Sequence, residues 1–222
     1  DSLTATHSKI FNQNSKSKQN YKYNFGKIRT KYGFRLIKKI NKLNIKDSIA
    51  KKDLELDYGV YAWNHEALDL LSGKASGICL PVELNKGEWE ELITYGKQKM
   101  RLSAVVYGRL PMMITANCLQ KTSDGCCGKS GTVMLKDRYG KEFPVYHDCR
   151  HCYNIVYNSV PLSLHRAFSE ELQEALHCRL DFTLETAKEC LKVTEYFQKI
   201  SVQYEDPFYS EYTTGHYKRG VE

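Results

Sequence analysis

The sequence predicts an α/β fold, and three features of its texture carry the prediction. From Asp57 onward, short apolar runs alternate with amphipathic segments, the pattern of parallel strands joined by crossover helices. Between Pro111 and Pro161 that rhythm gives way to cysteines, glycines and two short strand candidates, and beyond Ser169 it resumes. Parallel β-α units cross over with one hand almost without exception, so their strand ends open on one face. The expectation is therefore a set of partial, parallel, barrel-like units derived from a TIM-type barrel, interrupted by a cysteine-rich insertion. Fewer strands are visible than the roughly eight that a closed barrel needs. Either the remaining strands lie upstream in a longer parent chain, or this piece closes differently.

Each element follows from local chemistry. Asp57–Trp63 reads as a strand, and Asn64 is a good cap for a helix over 65–71 closed by Ser72 and Gly73. Ile78–Val82 reads as the next strand, Glu83-Leu84-Asn85 as its exit loop, 88–95 as a helix stopped by Gly96, and Leu102–Tyr107 as a third strand. In the insertion, Gly131–Leu135 and Phe143–Tyr146 are the strand candidates. A helix over 170–176 capped by Ser169, a strand Arg179–Phe182 and a helix over 184–197 capped by Thr183 complete the pattern.

The 222 residues suffice for one large domain or a domain with an arm. Hydrophobic residues at 41% and charged residues at 27% exclude collagen-like and wholly disordered classes. No run approaches the roughly 18 apolar residues of a membrane span, and no signal-peptide core opens the chain. The expectation is a cytoplasmic protein with no membrane partner. Because the first residue is Asp1, the chain reads as a piece of something longer.

The net charge of +7 is unevenly placed. Residues 1–56 carry a net +10, and residues 57–222 a net −3. The first stretch, poor in large apolar residues as far as Tyr21, reads as a basic, partly disordered arm or interdomain linker. Phe34, Leu36, Ile37, Ile40 and Leu43 recur at near-helical spacing among lysines and arginines, which describes a short basic amphipathic helix. Such an arm is either a solvated connector or a surface for RNA; no basic and aromatic binding motif accompanies it. Residues 57–199 form the main domain, with the cysteine-rich module at 111–161, and 200–222 an irregular tail.

Eight cysteines without secretory features favour metal or redox chemistry over disulfides. Cys79, Cys178 and Cys190 fall among apolar neighbours in predicted strands and a helix, as small buried hydrophobes do. Cys118, Cys126, Cys127, Cys149 and Cys152 instead share a polar, turn-rich stretch, and Cys149 and Cys152 form a C-x2-C pair. Four thiolates can hold zinc or an iron–sulfur cluster. Zinc knuckles generally bring two close cysteine pairs, and only one is present, which favours a 4Fe-4S cluster, with zinc as the alternative. A third reading sets Cys149 or Cys152 as a nucleophile beside His147 or His151.

Several motifs together resemble a known family. Tyr107-Gly-Arg-Leu-Pro-Met-Met113, Asn117-Cys-Leu-Gln-Lys-Thr122, Leu135-Lys-Asp-Arg-Tyr-Gly140, Phe143-Pro-Val145 and Asp148-Cys-Arg-His-Cys-Tyr-Asn154 closely resemble the collagenase-like peptidase family, the peptidases of unknown catalytic type numbered 32. Tyr58-Gly-Val-Tyr-Ala-Trp-Asn64 and Leu80-Pro-Val-Glu-Leu-Asn85 resemble the barrel units that precede that signature. The resemblance spans residues 57–199 and implies the C-terminal portion of a longer, barrel-like protein, whose upstream part would complete the barrel.

The family bears a peptidase name, so the resemblance implies a hydrolase by name. Several members, however, look like oxygen-independent, iron–sulfur hydroxylases of RNA bases or of small aromatic precursors. Proteolysis needs an activated nucleophile or a metal-bound water, and the sequence supplies neither identifiably. Iron–sulfur modification is therefore the preferred reading, with true proteolysis and a zinc-stapled RNA-binding module as alternatives. The ligands implied by the resemblance are Cys118, Cys126, Cys149 and Cys152, with Cys127 as the alternate to Cys126. Glu83, Asn85, Tyr107 and Arg109, near predicted strand ends, become candidates for substrate binding. Arg109 would clamp a carboxylate or phosphate, or else pair with Glu83. Asp137 and Arg138 read as a pair that holds a hairpin.

Overall fold

The computed structural model describes residues 8–10, 54–123, 125, 128–167, 175–200 and 206–221. The basic helix expected around 34–43 and most of the helix expected over 170–176 lie outside them. The chain divides into two compact units, one formed by 1–107, 164–208 and 214–222, the other by 108–163 and 209–213.

The first unit is a mixed α/β structure. Its strands are β1 (Ser8–Ile10), β2 (Glu55–Leu56), β3 (Gly77–Cys79), β4 (Arg101–Gly108) and β10 (His177–Asp181), hydrogen-bonded in the order β1-β10-β4-β3-β2. β2, β3 and β4 run parallel, in the register Leu56 to Ile78 to Leu102. β1, within the stretch read as an arm, runs antiparallel to β10. Strand β4 lies between β3 and β10, and Ala104, Val105 and Val106 on it are fully enclosed. A strand covered on both faces has no solvent side to make polar, which explains its continuous apolar run.

Helices α1 (His65–Ser72) and α2 (Lys86–Gly96) cross over between these strands. Asn64 caps α1 by accepting the Ala67 amide at 2.9 Å. Asn85 and Glu88 form a reciprocal capping box on α2. A Cβ on Gly96 would lie 2.9 Å from Leu68 of α1, so glycine there lets the end of α2 approach the other helix. Helix α4 (Ala187–Ile200) turns Val193, Tyr196, Phe197 and Ile200 inward at helical spacing.

Three expected elements differ. The strand expected over Ile78–Val82 ends at Cys79. The segment 57–63 is not a strand: the Asp57 side chain accepts the Tyr58 amide and starts a 3-10 turn over Tyr58–Val60, after which Tyr61 adopts a left-handed conformation. Capture of a backbone amide by an aspartate side chain competes with strand pairing, and pairing ends at Leu56 instead. The cap of α4 is Thr186, which exchanges hydrogen bonds with Glu189, rather than Thr183.

The second unit holds an antiparallel sheet of four strands in the order β5-β8-β7-β6. These are β5 (Pro111–Thr115), β6 (Gly131–Lys136), β7 (Glu142–Asp148) and β8 (Tyr153–Tyr157), with the short helix α3 (Leu119–Ser123) after β5. β9 (Leu162–Ser163) follows, and Leu162 bridges Thr213. Asp137 makes the β6–β7 turn by accepting the amides of Tyr139 at 2.8 Å and Lys141 at 2.9 Å. Arg138 packs over Tyr139, 4.7 Å from its ring centre, so the hairpin is held by Asp137 and not by an Asp137–Arg138 ion pair. Both sheets are open, and the described residues close no barrel. Among them no helix is long and apolar enough to cross a membrane.

Candidate metal centre and strand-end residues

Strand register decides where the cysteines fall. Thr115, the last residue of β5, pairs with Asn154 near the start of β8. Gly131, the first residue of β6, pairs with His147 near the end of β7, and Asp148 pairs with Tyr153. The end of β5, the start of β6, the end of β7 and the start of β8 thus share one end of the sheet. Cys118 follows β5 there, and Cys149 and Cys152 lie in the β7–β8 turn.

Side chains tie these loops together. Asn154, 1% exposed, donates to the carbonyls of Asn117 at 2.6 Å and Thr115 at 3.4 Å, which anchors the Cys118 segment to β8. The Cys149 amide donates to Ser130 Oγ at 3.0 Å, and its thiol to the Lys129 carbonyl at 3.1 Å, which fixes the turn against the entrance of β6. Asp148 accepts the amides of Arg150 and His151 and bonds His151 Nδ1 at 2.8 Å. Burial works against the Asp148 charge, but the His151 contacts and the Arg150 amide outweigh it and hold the carboxyl below its ordinary range. Cys152 takes a left-handed backbone, φ 53°, with its thiol near the Cys149 carbonyl. Burial, then the nearby Asp148 charge, pushes the Tyr153 hydroxyl up to about 12, so it stays protonated.

Among the described residues, no three His, Cys, Asp or Glu side chains are gathered as a metal-ligand set. Cys126 and Cys127 lie outside the described residues. Cys118, Cys149 and Cys152 are soft sulfur donors of the type that zinc or an iron–sulfur cluster takes. The remaining cysteines behave differently. Burial pushes the thiols of Cys79 and Cys178 up to about 12, and Cys190 points at the Glu185 carbonyl from 3.7 Å.

The strand-end candidates divide. Glu83 is half-buried and accepts from the Tyr61 hydroxyl at 3.3 Å. Its Oε2 is enclosed and has no hydrogen-bond partner among the described residues. Asn85 works as the α2 cap. Tyr107 is 5% exposed, packs against Phe182 and Phe197, and donates to Glu185 at 3.2 Å. Arg109 donates from Nη1 to the carbonyls of Asn158, at 3.0 Å, and Ser159. A guanidinium edge so engaged fixes a loop.

A charged cluster also lies at the carboxyl end of the parallel strands. Arg179 on β10 reaches Asp57 Oδ1 at 2.5 Å and Asp181 Oδ1 at 2.6 Å. Burial opposes its charge, but the two carboxylates overcome this and raise its pKa further. The only local signal for it was a charged residue inside the apolar strand Cys178-Arg-Leu-Asp181. Comparison with protein-family models, with curated proteins and with solved structures returned no match for this chain.

Proposed function

We propose that this chain is part of an iron–sulfur modification enzyme of the collagenase-like peptidase kind, acting without molecular oxygen to hydroxylate RNA or a small aromatic substrate. The observation that supports it is the register that brings the Cys118, Cys149 and Cys152 segments to one end of the four-stranded sheet. Cys118, Cys149, Cys152 and either Cys126 or Cys127 would hold the cluster. When bound, such a cluster supplies one-electron chemistry.

The chain's own residues have separate roles in this reading. Asn154 positions the Cys118 segment, Ser130 the Cys149 amide, and Asp148 the intervening turn. The parallel β2, β3 and β4 with their crossover helices belong to a barrel-derived body that an upstream part of the parent chain completes. The basic side chains within residues 1–56 would add affinity for RNA through its phosphates.

Anaerobic purification tests the reading, with a visible spectrum and iron, zinc and sulfide contents for wild type and Cys149→Ala. Brown protein with matched iron and sulfide, lost in Cys149→Ala, is the expected result. Colourless protein with one zinc overturns the cluster in favour of a structural metal module. Metal-free protein that cleaves peptides overturns the ligand set and restores the peptidase reading.

A further inference from the structure

Among the described residues, two that are not glycine hold a left-handed backbone, Tyr61 and Cys152. Cys152 lies in the candidate metal turn. Tyr61 lies in the loop after β2, where φ 56° is unfavourable for a bulky side chain. Strain of this kind persists only where the surroundings enforce it, and it collects at binding sites.

The Tyr61 and Trp63 rings are parallel to within 8°, with centres 6.5 Å apart. They are 53% and 41% exposed, unlike Trp89 at 2%. Beside Tyr61, from the loop after β3, stands Glu83. Its Oε1 accepts from the Tyr61 hydroxyl, and its enclosed Oε2 lacks a donor among the described residues. A desolvated carboxylate oxygen without a donor is costly to maintain, and the soft terminal torsion of glutamate lets either oxygen turn to an incoming donor. All three residues follow the carboxyl ends of the parallel strands β2 and β3, where ligands of open α/β sheets bind.

We propose that Tyr61, Trp63 and Glu83 form a binding site for a planar aromatic ring that carries an N–H or O–H donor on its edge. The exposed rings offer flat faces for stacking, which is sequence-tolerant and strong enough to hold a single base, and Glu83 accepts from the ring edge. An aromatic cage for a quaternary ammonium wraps a near-spherical cation; parallel rings suit a flat guest instead. The proposal rests on the modification-enzyme reading for its biological role, since a base within RNA and a free phenolic ring share this chemistry. The site itself is independent of the metal.

Calorimetric titration of the 222-residue chain with guanosine, catechol, a single-stranded RNA oligomer and tetramethylammonium tests it. Saturable binding of at least one ring probe is expected, weakened at least tenfold in Trp63→Leu and in Tyr61→Gly, with the thermal midpoint retained. Glycine accepts the left-handed backbone, so Tyr61→Gly removes the ring without disturbing the loop. Binding of the oligomer alone identifies a base in RNA as the source, and binding of guanosine or catechol a free ring. No ring binding, binding of tetramethylammonium alone, or affinities unchanged in both variants overturns the site. The same titrations on Cys149→Ala separate the two proposals: ring binding that survives where the metal is absent from both proteins leaves this site standing and removes the iron–sulfur reading.

Discussion

Arg179 shows how a single side chain can be decisive and yet hard to see in sequence. Its side chain is 12% exposed, and it holds Asp181, 8% exposed, together with Asp57 from 122 positions away. Removing Arg179 leaves the buried Asp181 carboxylate without compensation, whereas Asp57, 38% exposed, is partly solvated. Arg179→Met is therefore expected to lower unfolding free energy by about 3 kcal/mol, measured by urea titration followed by circular dichroism. Unchanged stability would show that solvent already compensates the two carboxylates. The Asp57 partnership was illegible because nothing local links those two positions. The same limit applies to Tyr107 and Arg109. Both stand where a strand ends, as binding residues often do, but only the fold shows Tyr107 enclosed against Phe182 and Arg109 turned onto carbonyls. Glu83 was legible as a strand-end carboxylate, while Tyr61 and Trp63 were hidden within a segment read as a strand.

Elements whose signals are local were the legible ones. Asn64 was legible as the cap of α1, whereas Asn85, read as part of an exit loop, also proves to be a cap; each side chain accepts an amide three residues on. The parallel β3 and β4 were visible through apolar runs, whereas β2 lies at Glu55–Leu56, in the stretch read as an arm and ahead of the aromatic segment read as a strand. β5 was missed for a physical reason: Met112, Met113 and Ile114 are 63%, 55% and 58% exposed, so no alternation of apolar and polar residues marks the strand. β8 was missed because it follows the cysteine turn directly. Asn85 illustrates how an element-scale role displaces a binding role. Its side chain accepts the Glu88 amide at 3.1 Å, while Glu88 returns a bond to the Asn85 amide at 2.7 Å. Asn85→Ala should cost about 1 kcal/mol of stability, the usual value of a cap, and Asn85→Asp should retain most of it. A ring-binding affinity that stays constant across both variants in calorimetry would agree with capping; a tenfold loss in Asn85→Asp, with the helix intact, would return Asn85 to the binding site.

At the scale of the whole molecule, burial of histidine couples folding to pH. His165 is 1% exposed and packs near Tyr196; burial first, then the Arg166 charge, lowers its pKa. In His177, burial first and then Arg101 act in the same direction. A histidine whose folded pKa lies below its unfolded value binds fewer protons in the native state throughout the window between the two. Stability is then fully present above the unfolded value of about 6.5 and is lost progressively as pH falls from there toward the folded value. Urea midpoints for the wild type should accordingly be lower at pH 5.5 than at pH 7.5. His165→Gln, which carries no titrating ring, should show a smaller drop between the two, whatever its stability at the higher pH. An equal drop in both proteins would assign the dependence to His177 or to other groups. The two histidines also divide the acid response by place, because both belong to the first unit, whereas the cysteine end of the four-stranded sheet belongs to the second.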